Sequence, residues 1–144
     1  DDQLLLNYPI HLKFNTGLNR LGLYHSDIPL ILNNIVASKH VRIESILSHL
    51  AASEDESERE FTMGQLNNFA AIVKQIYLHL DYEPMIHTLN TSGVINYPEA
   101  QFDMVRIGIG LYGFGNNKKE TSKELKAENN TVFVPILNAK NEIN

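Results

Sequence analysis

Residues 85–113 read MIHTLNTSGVINYPEAQFDMVRIGIGLYG, and this stretch is the most informative about the fold class. It contains two short apolar segments, 85–88 and 104–107, that we predict as strands. The polar turn 90–93 follows the first segment, and the glycine-rich run 108–113 follows the second. Polar and glycine residues directly after strands are typical of parallel α/β folds, where ligands bind at the carboxyl ends of the strands. We therefore expect a ligand site at this edge of the sheet.

The sequence before residue 85 continues the alternation of strands and helices. Two further strands are predicted at 10–14 and 41–48, a helix from Ser26 or Asp27 to about residue 39, and a strongly amphipathic helix over about 61–80. Such an order predicts right-handed βαβ units and a parallel sheet. A TIM (β/α)8 barrel needs about 250 residues, so four units in about 115 residues predict half of a barrel or a small open sheet.

Composition changes divide the chain into three parts. Residues 1–115 carry the α/β pattern, 116–130 are charged and Asn-rich and are predicted to be a linker, and 131–144 form a tail with one candidate strand. The acidic run 53–60 is predicted to be a solvated loop. The chain has no initiator Met and enters its first strand almost at once, as a piece of a longer protein would.

Charge and cysteine content narrow the class of protein. Twelve basic and seventeen acidic residues give a net charge of −5, which argues against a nucleic-acid partner bound by phosphate neutralisation. There is no cysteine, so disulfides and thiolate chemistry are excluded, and the histidine spacing shows no metal-binding motif. The sequence shows neither a signal peptide nor an apolar run of about 20 residues, and we expect a cytoplasmic protein without membrane contact.

The spacing Gly108-x-Gly110-x-x-Gly113 matches a dinucleotide-binding fingerprint. That fingerprint requires an amphipathic helix immediately afterwards, and the residues that follow do not have this pattern. A nucleotide site is therefore disfavoured. Two interpretations remain open, because the glycines can form either a tight turn or a cradle of backbone amides for a phosphate.

Three side chains stand out by position. Arg106 lies among Met104, Val105 and Ile107, and a buried guanidinium must find anionic or hydrogen-bonding partners. His49 comes at the end of a predicted strand, and Arg20 lies in a loop after one. All three are candidate functional residues.

Five segments, in order along the chain, together resemble the alanine racemase family. They are HLKFNTGLNRLG (11–22), SHLAASED (48–55), FTMGQLNNF (61–69), HTLNTSG (87–93) and FDMVRIGIGLYG (102–113). The resemblance implies the second half of the N-terminal barrel of an enzyme that uses pyridoxal 5′-phosphate (PLP). Such enzymes interconvert L- and D-alanine for cell-wall peptidoglycan, and they work as cytoplasmic homodimers.

The resemblance also implies roles for single residues. Arg106 matches the arginine that donates to the pyridine nitrogen of PLP, and His49 matches the histidine that contacts this arginine. Arg20 matches an arginine near the phenolic oxygen of PLP and the substrate carboxylate, and Lys13 matches a lysine that orients it and that many members carbamylate. The residues implied to bind the cofactor, at its phosphate in particular, are Asn90, Thr91, Gly108 and Ile109.

The sequence departs from the family in two ways that affect function. No run like KANAYG, which carries the Schiff-base lysine, occurs in the chain, and the catalytic tyrosine of the C-terminal domain has no counterpart. Because the reaction needs both bases, we expect the isolated chain to be inactive. The alternatives are a truncated or degenerate barrel half that at most binds phosphate or PLP, and a related racemase of broader specificity.

Overall fold

A sheet of three parallel strands organises the computed structural model, which describes residues 6–113. The strands lie in the order β1–β2–β3, with β1 at Tyr8–Lys13, β2 at Val41–Leu47 and β3 at Met85–His87. These bounds agree within two residues with the predicted strands. The predicted parallel sheet with intervening helices is therefore confirmed.

The segment between β1 and β2 is helical but irregular. A 3-10 turn at His25–Asp27 leads into α1 at Ile28–Ile31, and a π-helical turn at Leu32–Val36 completes it. The Asp27 carboxylate accepts a hydrogen bond from the amide of Tyr24 at 2.7 Å, which satisfies one of the free amides at the start of the helical segment. The prediction of one regular helix to residue 39 was wrong in geometry, although it located the helical segment.

Helix α2, at Arg59–Tyr77, connects β2 to β3 and packs against the sheet. Just before it, the Asp55 carboxylate accepts from the amide of Ser57 at 2.9 Å and caps the 3-10 turn Glu56–Glu58. The apolar face of α2 joins the main core with side chains from β1, α1 and β2. The buried members of this core are Leu12, Phe14, Ile28, Ile31, Ile43, Ile46, Phe69, Ile72, Val73 and Ile76.

An irregularity in β2 determines which side chains reach that core. Ile10 pairs with Ile43, but the next residue of β1 pairs with Ser45, so Glu44 is an extra residue in β2. Strict alternation would place Ile43 and Ile46 on opposite faces, whereas the bulge lets both contribute to the core. Ser45, next to Ile46, then faces the other side of the sheet.

Two further predictions need correction. The segment 104–107 is not a strand, because its chain makes only scattered backbone hydrogen bonds to the region of β3 (Asp103 N to Ile86 O, 3.1 Å; Arg106 N to Leu89 O, 3.0 Å). The predicted turn 90–93 opens a short helix, α3, at Thr91–Asn96. The helix forms because the Asn90 side chain accepts from the Gly93 amide at 2.9 Å.

The acidic run 53–60 is solvated except at its first residue. Ser53 is buried, and its hydroxyl donates to Asn90 Oδ1 at 2.8 Å. Within residues 6–113, no helix has both the length and the apolar character needed to cross a bilayer. The predicted linker 116–130 and tail 131–144 lie outside the described residues.

Candidate functional site

Arg106 lies where the chain leaves β2 and β3, and its guanidinium is surrounded by acceptors. Its Nη2 donates to the carbonyls of Ser48 (2.6 Å) and Thr88 (3.1 Å) and to Nδ1 of His49 (3.3 Å). Its Nη1 donates to the carbonyl of His87 at 3.3 Å and to Nδ1 of the same residue. These contacts provide the hydrogen-bonding partners that the sequence required for a cation in an apolar segment.

The contacts leave one donor of Arg106 for a ligand. Among residues 6–113, the guanidinium bonds only through its two terminal nitrogens, so the Nε–H is not used. Burial lowers the pKa of Arg106, but a guanidinium keeps its proton in proteins. The site therefore holds a permanent cation with one N–H donor to spare.

Both histidines on Arg106 are held neutral. Burial, followed by the charge of Arg106, lowers the pKa of His87 to about 4. Burial is also the largest cause of the lowered pKa of His49, with further contributions from Arg106, Arg20 and Lys13. A neutral imidazole has an unprotonated nitrogen, so each histidine can accept from the guanidinium at neutral pH.

The region around Arg106 is electropositive. Lys13 ends β1, and its pKa is lowered by burial, then by Arg20, then by Arg106. Arg20 is exposed, in a loop held by Asn15, whose Oδ1 accepts from the amides of Gly17 (3.1 Å) and Asn19 (3.0 Å). No carboxylate of the described chain offsets the effect of these cations on the pKa of Lys13 or His49. Such a cluster, in a chain of net charge −5, favours an anionic ligand.

A second group of polar atoms gathers around Thr91. Its hydroxyl oxygen accepts from the amides of Gly108 (3.2 Å) and Gly110 (3.1 Å). Both acceptor positions of the hydroxyl are then used, and its own hydrogen has no acceptor among residues 6–113. A Cβ on Gly110 would lie 2.6 Å from Cγ2 of Thr91, so this approach requires glycine, whereas the space beside Gly108 is open.

Comparison with known proteins gives the family of this chain. The sequence model described as "Alanine racemase, N-terminal domain" matches residues 3–115. The chain belongs to the alanine racemase family. The alanine racemase of Rickettsia bellii is 37% identical over 138 residues, which are 92% of this chain. That of Thermodesulfovibrio yellowstonii is 36% identical over 107 residues, or 74% of the chain.

Solved alanine racemases share the fold. The enzyme of Streptomyces lavendulae matches 84% of this chain with a TM-score of 0.76 and 25% identity. The enzyme of Pseudomonas aeruginosa matches 86% with a TM-score of 0.70 and 26% identity. The three parallel strands with their helices are thus part of an α/β barrel of the alanine racemase type, as the sequence predicted.

The chain spans about a third of the length of these relatives. It covers 31% of the Rickettsia bellii racemase, 28% of the Thermodesulfovibrio yellowstonii racemase and 32% of the Streptomyces lavendulae structure. Membership of the family is therefore established for this region, and the activity of the whole protein is a separate matter.

The predicted site residues form two groups in the structure. Arg106 contacts His49, with Lys13 and Arg20 close enough to affect the pKa of that histidine. The second group contains Thr91 and Gly108, with Asn90 as the cap of α3. The amides that donate to Thr91 are those of Gly108 and Gly110, on either side of Ile109, whose side chain is exposed.

Sequence reasoning missed two residues of the site. His87 was treated only as part of a motif, yet it bonds Arg106 through both its ring and its carbonyl. The sequence did indicate a role for His87, because a histidine within a short apolar strand needs a hydrogen-bonding partner as much as Arg106 does. Ser48 was also missed; its buried hydroxyl donates to Phe14 O at 2.9 Å and meets Thr16 Oγ1 at 2.7 Å, joining the ends of β1 and β2.

Proposed function

We propose that this chain forms part of the PLP-binding barrel of an alanine racemase, with Arg106 donating to the ring nitrogen of the cofactor. The observation that carries the proposal is the geometry of Arg106: five contacts fix its terminal nitrogens, and its Nε–H makes no hydrogen bond within residues 6–113. A ring nitrogen without a proton is a suitable acceptor for that donor. The donor set thus fits the ring end of PLP.

The fit extends to the chemistry expected of the cofactor. When bound, PLP acts as an electron sink for the bond that the enzyme breaks at the substrate α-carbon. The permanent charge of Arg106 disfavours a proton on the ring nitrogen, which makes the sink weaker and limits side reactions. His49 and His87, both neutral, keep the guanidinium in place without supplying a proton themselves.

The phosphate end of PLP fits the cluster at Thr91. Within residues 6–113 the hydroxyl hydrogen of Thr91 has no acceptor, so it can donate to a phosphate oxygen. The Ile109 amide lies in the same turn, next to the Gly108 amide, which donates to Thr91 at 3.2 Å. Backbone amides of a glycine-containing turn suit a phosphate because nothing obstructs its approach beside Gly108. Asn90 contributes by capping α3 and so positioning Thr91.

Arg20 suits the substrate. Its positive charge, close enough to lower the pKa of Lys13 and of His49, is available to the carboxylate of alanine and to the phenolic oxygen of PLP. We further propose that Lys13 orients Arg20. Its lowered pKa increases the fraction of uncharged amine, the form that can be carbamylated.

Other parts of the proposal concern the whole protein. From its family, we propose that the whole protein is a cytoplasmic homodimer that makes D-alanine for peptidoglycan. The two catalytic bases, a lysine and a tyrosine, would come from regions of the enzyme that have no counterpart in this chain. Residues 1–115 would belong to the barrel, 116–130 to a linker and 131–144 to a divergent tail. The 144-residue chain alone is then expected to bind PLP and not to racemise alanine.

A titration with PLP, followed by absorbance and fluorescence, tests the binding proposal. We expect wild-type chain to bind PLP, and Arg106→Ala to bind it about tenfold to hundredfold more weakly, as for the loss of one hydrogen bond to a charged group. Some PLP should remain bound through its phosphate, with an altered spectrum. Arg42→Ala is the matched control, because Arg42 is exposed and stacks on Tyr82 at the opposite end of β2.

Three outcomes would contradict the proposal. Equal affinities and spectra for Arg106→Ala and wild type would remove Arg106 from the cofactor site. Alanine racemisation by the isolated chain, above the rate with free PLP, would mean that a residue present here replaces the missing lysine. Absence of PLP binding altogether would favour the degenerate barrel half.

A further inference from the structure

A line of hydrogen bonds crosses all three strands and ends at Arg106. His11 of β1 meets Ser45 of β2, with His11 Nδ1 and Ser45 Oγ 2.7 Å apart. Ser45 Oγ lies 3.3 Å from Nε2 of His87 in β3, and His87 Nδ1 contacts Nη1 of Arg106. His11 and Ser45 have no role in the site described so far.

The donor and the acceptor of each hydrogen bond in this line can be assigned by starting from Arg106. A guanidinium has only donors, so Nδ1 of His87 must be unprotonated to accept from Arg106. A neutral imidazole then carries its hydrogen on Nε2, and this N–H donates to Ser45 Oγ. His87 is thereby limited to one of its two tautomers.

The same reasoning extends through Ser45. Its hydroxyl is buried, at 1% exposure, and within residues 6–113 its oxygen contacts only the two histidine rings. If Nδ1 of His11 also donated to it, the hydroxyl hydrogen would be buried without an acceptor, which is costly. The hydroxyl therefore donates to His11 Nδ1, and His11 carries its hydrogen on Nε2.

We propose that His11, Ser45 and His87 form a tautomer-locked chain that fixes the guanidinium of Arg106, making His87 a positioning residue for the cofactor arginine. The last clause of this inference rests on the proposed function, whereas the hydrogen-bond directions do not. The backbone carbonyls around Arg106 hold Nη2, and His87 holds Nη1 through its ring and carbonyl. With both terminal nitrogens held, the plane of the guanidinium is set, and with it the direction of the Nε–H.

Burial supports a neutral His87 at physiological pH. His87 is 4% exposed, and its pKa of about 4 reflects burial first, then Arg106, then His11. A second proton on His87 would have to sit on Nδ1, against the guanidinium. The contact with Arg106 thus selects both the charge and the tautomer of His87.

Nuclear magnetic resonance of the 144-residue chain, labelled with ¹⁵N in histidine, tests the chain directly. Proton–nitrogen correlations through the ring distinguish the two tautomers. We expect both His11 and His87 to carry the hydrogen on Nε2 at pH 7. In Ser45→Ala, His87 should keep that tautomer because Arg106 still fixes it, while His11 becomes a mixture. His79→Asn, at an exposed position, is the control and should change neither signal.

Two substitutions of His87 test its positioning role through PLP binding. Asn carries an amide oxygen close to the position of Nδ1 and can still accept from Arg106, whereas the amide of Gln reaches toward Ser45 instead. We expect His87→Gln to weaken PLP binding about tenfold and to shift the spectrum of bound PLP toward that of Arg106→Ala, the effect of losing about one charged hydrogen bond. His87→Asn should stay closer to wild type in both respects.

The two experiments separate the possible failures. A hydrogen on Nδ1 of His87 would overturn the tautomer chain whether or not PLP binds. Equal effects of His87→Asn and His87→Gln on affinity and spectrum would overturn the positioning role. If wild type does not bind PLP while both histidines carry Nε2–H, the proposed function fails and the hydrogen-bond chain stands.

Discussion

The two faces of the sheet bury different kinds of group, and each face depends on a different kind of neighbour. On the face toward α2, Phe69, Ile72 and Ile76 are fully buried among other apolar side chains. On the opposite face, Ser45 and His87 are buried with specific hydrogen-bonding partners. Apolar contacts tolerate many neighbours of the right volume, whereas a buried polar group needs one partner in one geometry.

This difference leads us to expect that substitutions on the two faces will separate stability from ligand binding. A cavity on the apolar face removes contacts and lowers the free energy of unfolding without altering any donor of the site. On the polar face, removing one side chain changes the orientation or the protonation of the side chain that was hydrogen-bonded to it. The predictions below test that separation.

The largest expected effect is on the apolar face. Phe69 is fully buried, with its ring centroid 5.8 Å from that of Phe102. Phe69→Ala should lower the free energy of unfolding by about 4 kcal/mol, through lost burial and the cavity left behind. Urea denaturation followed by circular dichroism measures this change. Leu78→Ala, at a position 75% exposed, should cost less than about 0.5 kcal/mol, and equal losses at the two positions would contradict the assignment of the core.

The apolar face is also the part of the fold that the sequence predicts best. The spacing of Leu66, Phe69, Val73 and Ile76 predicts α2, because the 3.6-residue period of an amphipathic helix can be recognised from neighbouring residues alone. The bulge at Glu44 was not predictable in this way, since it depends on the pairing of β2 with β1. The segment 104–107 was wrongly predicted as a strand for the same reason. Its apolar residues fit a strand, but a strand also has to form backbone hydrogen bonds with a neighbouring strand.

The polar face was predicted only in part. Arg106 stood out from sequence because a cation among apolar residues is costly without partners. His87 did not, because its role depends on Ser45 and Arg106, which lie 42 and 19 residues away along the chain. The resemblance to alanine racemases placed Thr91 and Gly108 in one site, and their contact could not be derived from spacing alone.

The second prediction concerns pH and the polar face. The pKa of His87 is lowered from its ordinary 6.5 to about 4 in the folded chain. Between these values the unfolded chain binds more protons than the folded chain, so the free energy of unfolding falls as pH drops from about 6.5 to 4. Full expression of this shift corresponds to about 3 kcal/mol. The stabilising contribution of a neutral His87 is present above pH 6.5 and is lost in that window.

Urea denaturation of wild type and His87→Asn at pH 4.5 and pH 7 isolates this contribution. The variant should lose less stability than wild type on acidification, because Asn does not titrate. Some acid sensitivity should remain from His49, whose pKa is lowered as well. The same acid-induced loss in both proteins would show that His87 is not held neutral by the fold.

The smallest expected effect is at Thr91, and it is an effect on ligand binding. Thr91→Val keeps the shape of the side chain but removes the hydroxyl that accepts from Gly108 and Gly110. We expect PLP binding to weaken about tenfold, as for the loss of one hydrogen bond to a charged phosphate. Thr91→Ser keeps the hydroxyl and should bind PLP nearly as well as wild type.

Pyridoxal, which lacks the phosphate, makes the test at Thr91 specific. If the hydroxyl acts on the phosphate, Thr91→Val should weaken the binding of PLP and leave that of pyridoxal unchanged. An equal loss for both ligands would mean instead that the variant disturbs the turn Ile109–Tyr112, because the hydrogen bonds from the amides of Gly108 and Gly110 to Thr91 are lost. Since the turn begins at Ile109, close in sequence to Arg106, a disturbed turn would alter the spectrum of bound pyridoxal, whereas a lost phosphate contact would not.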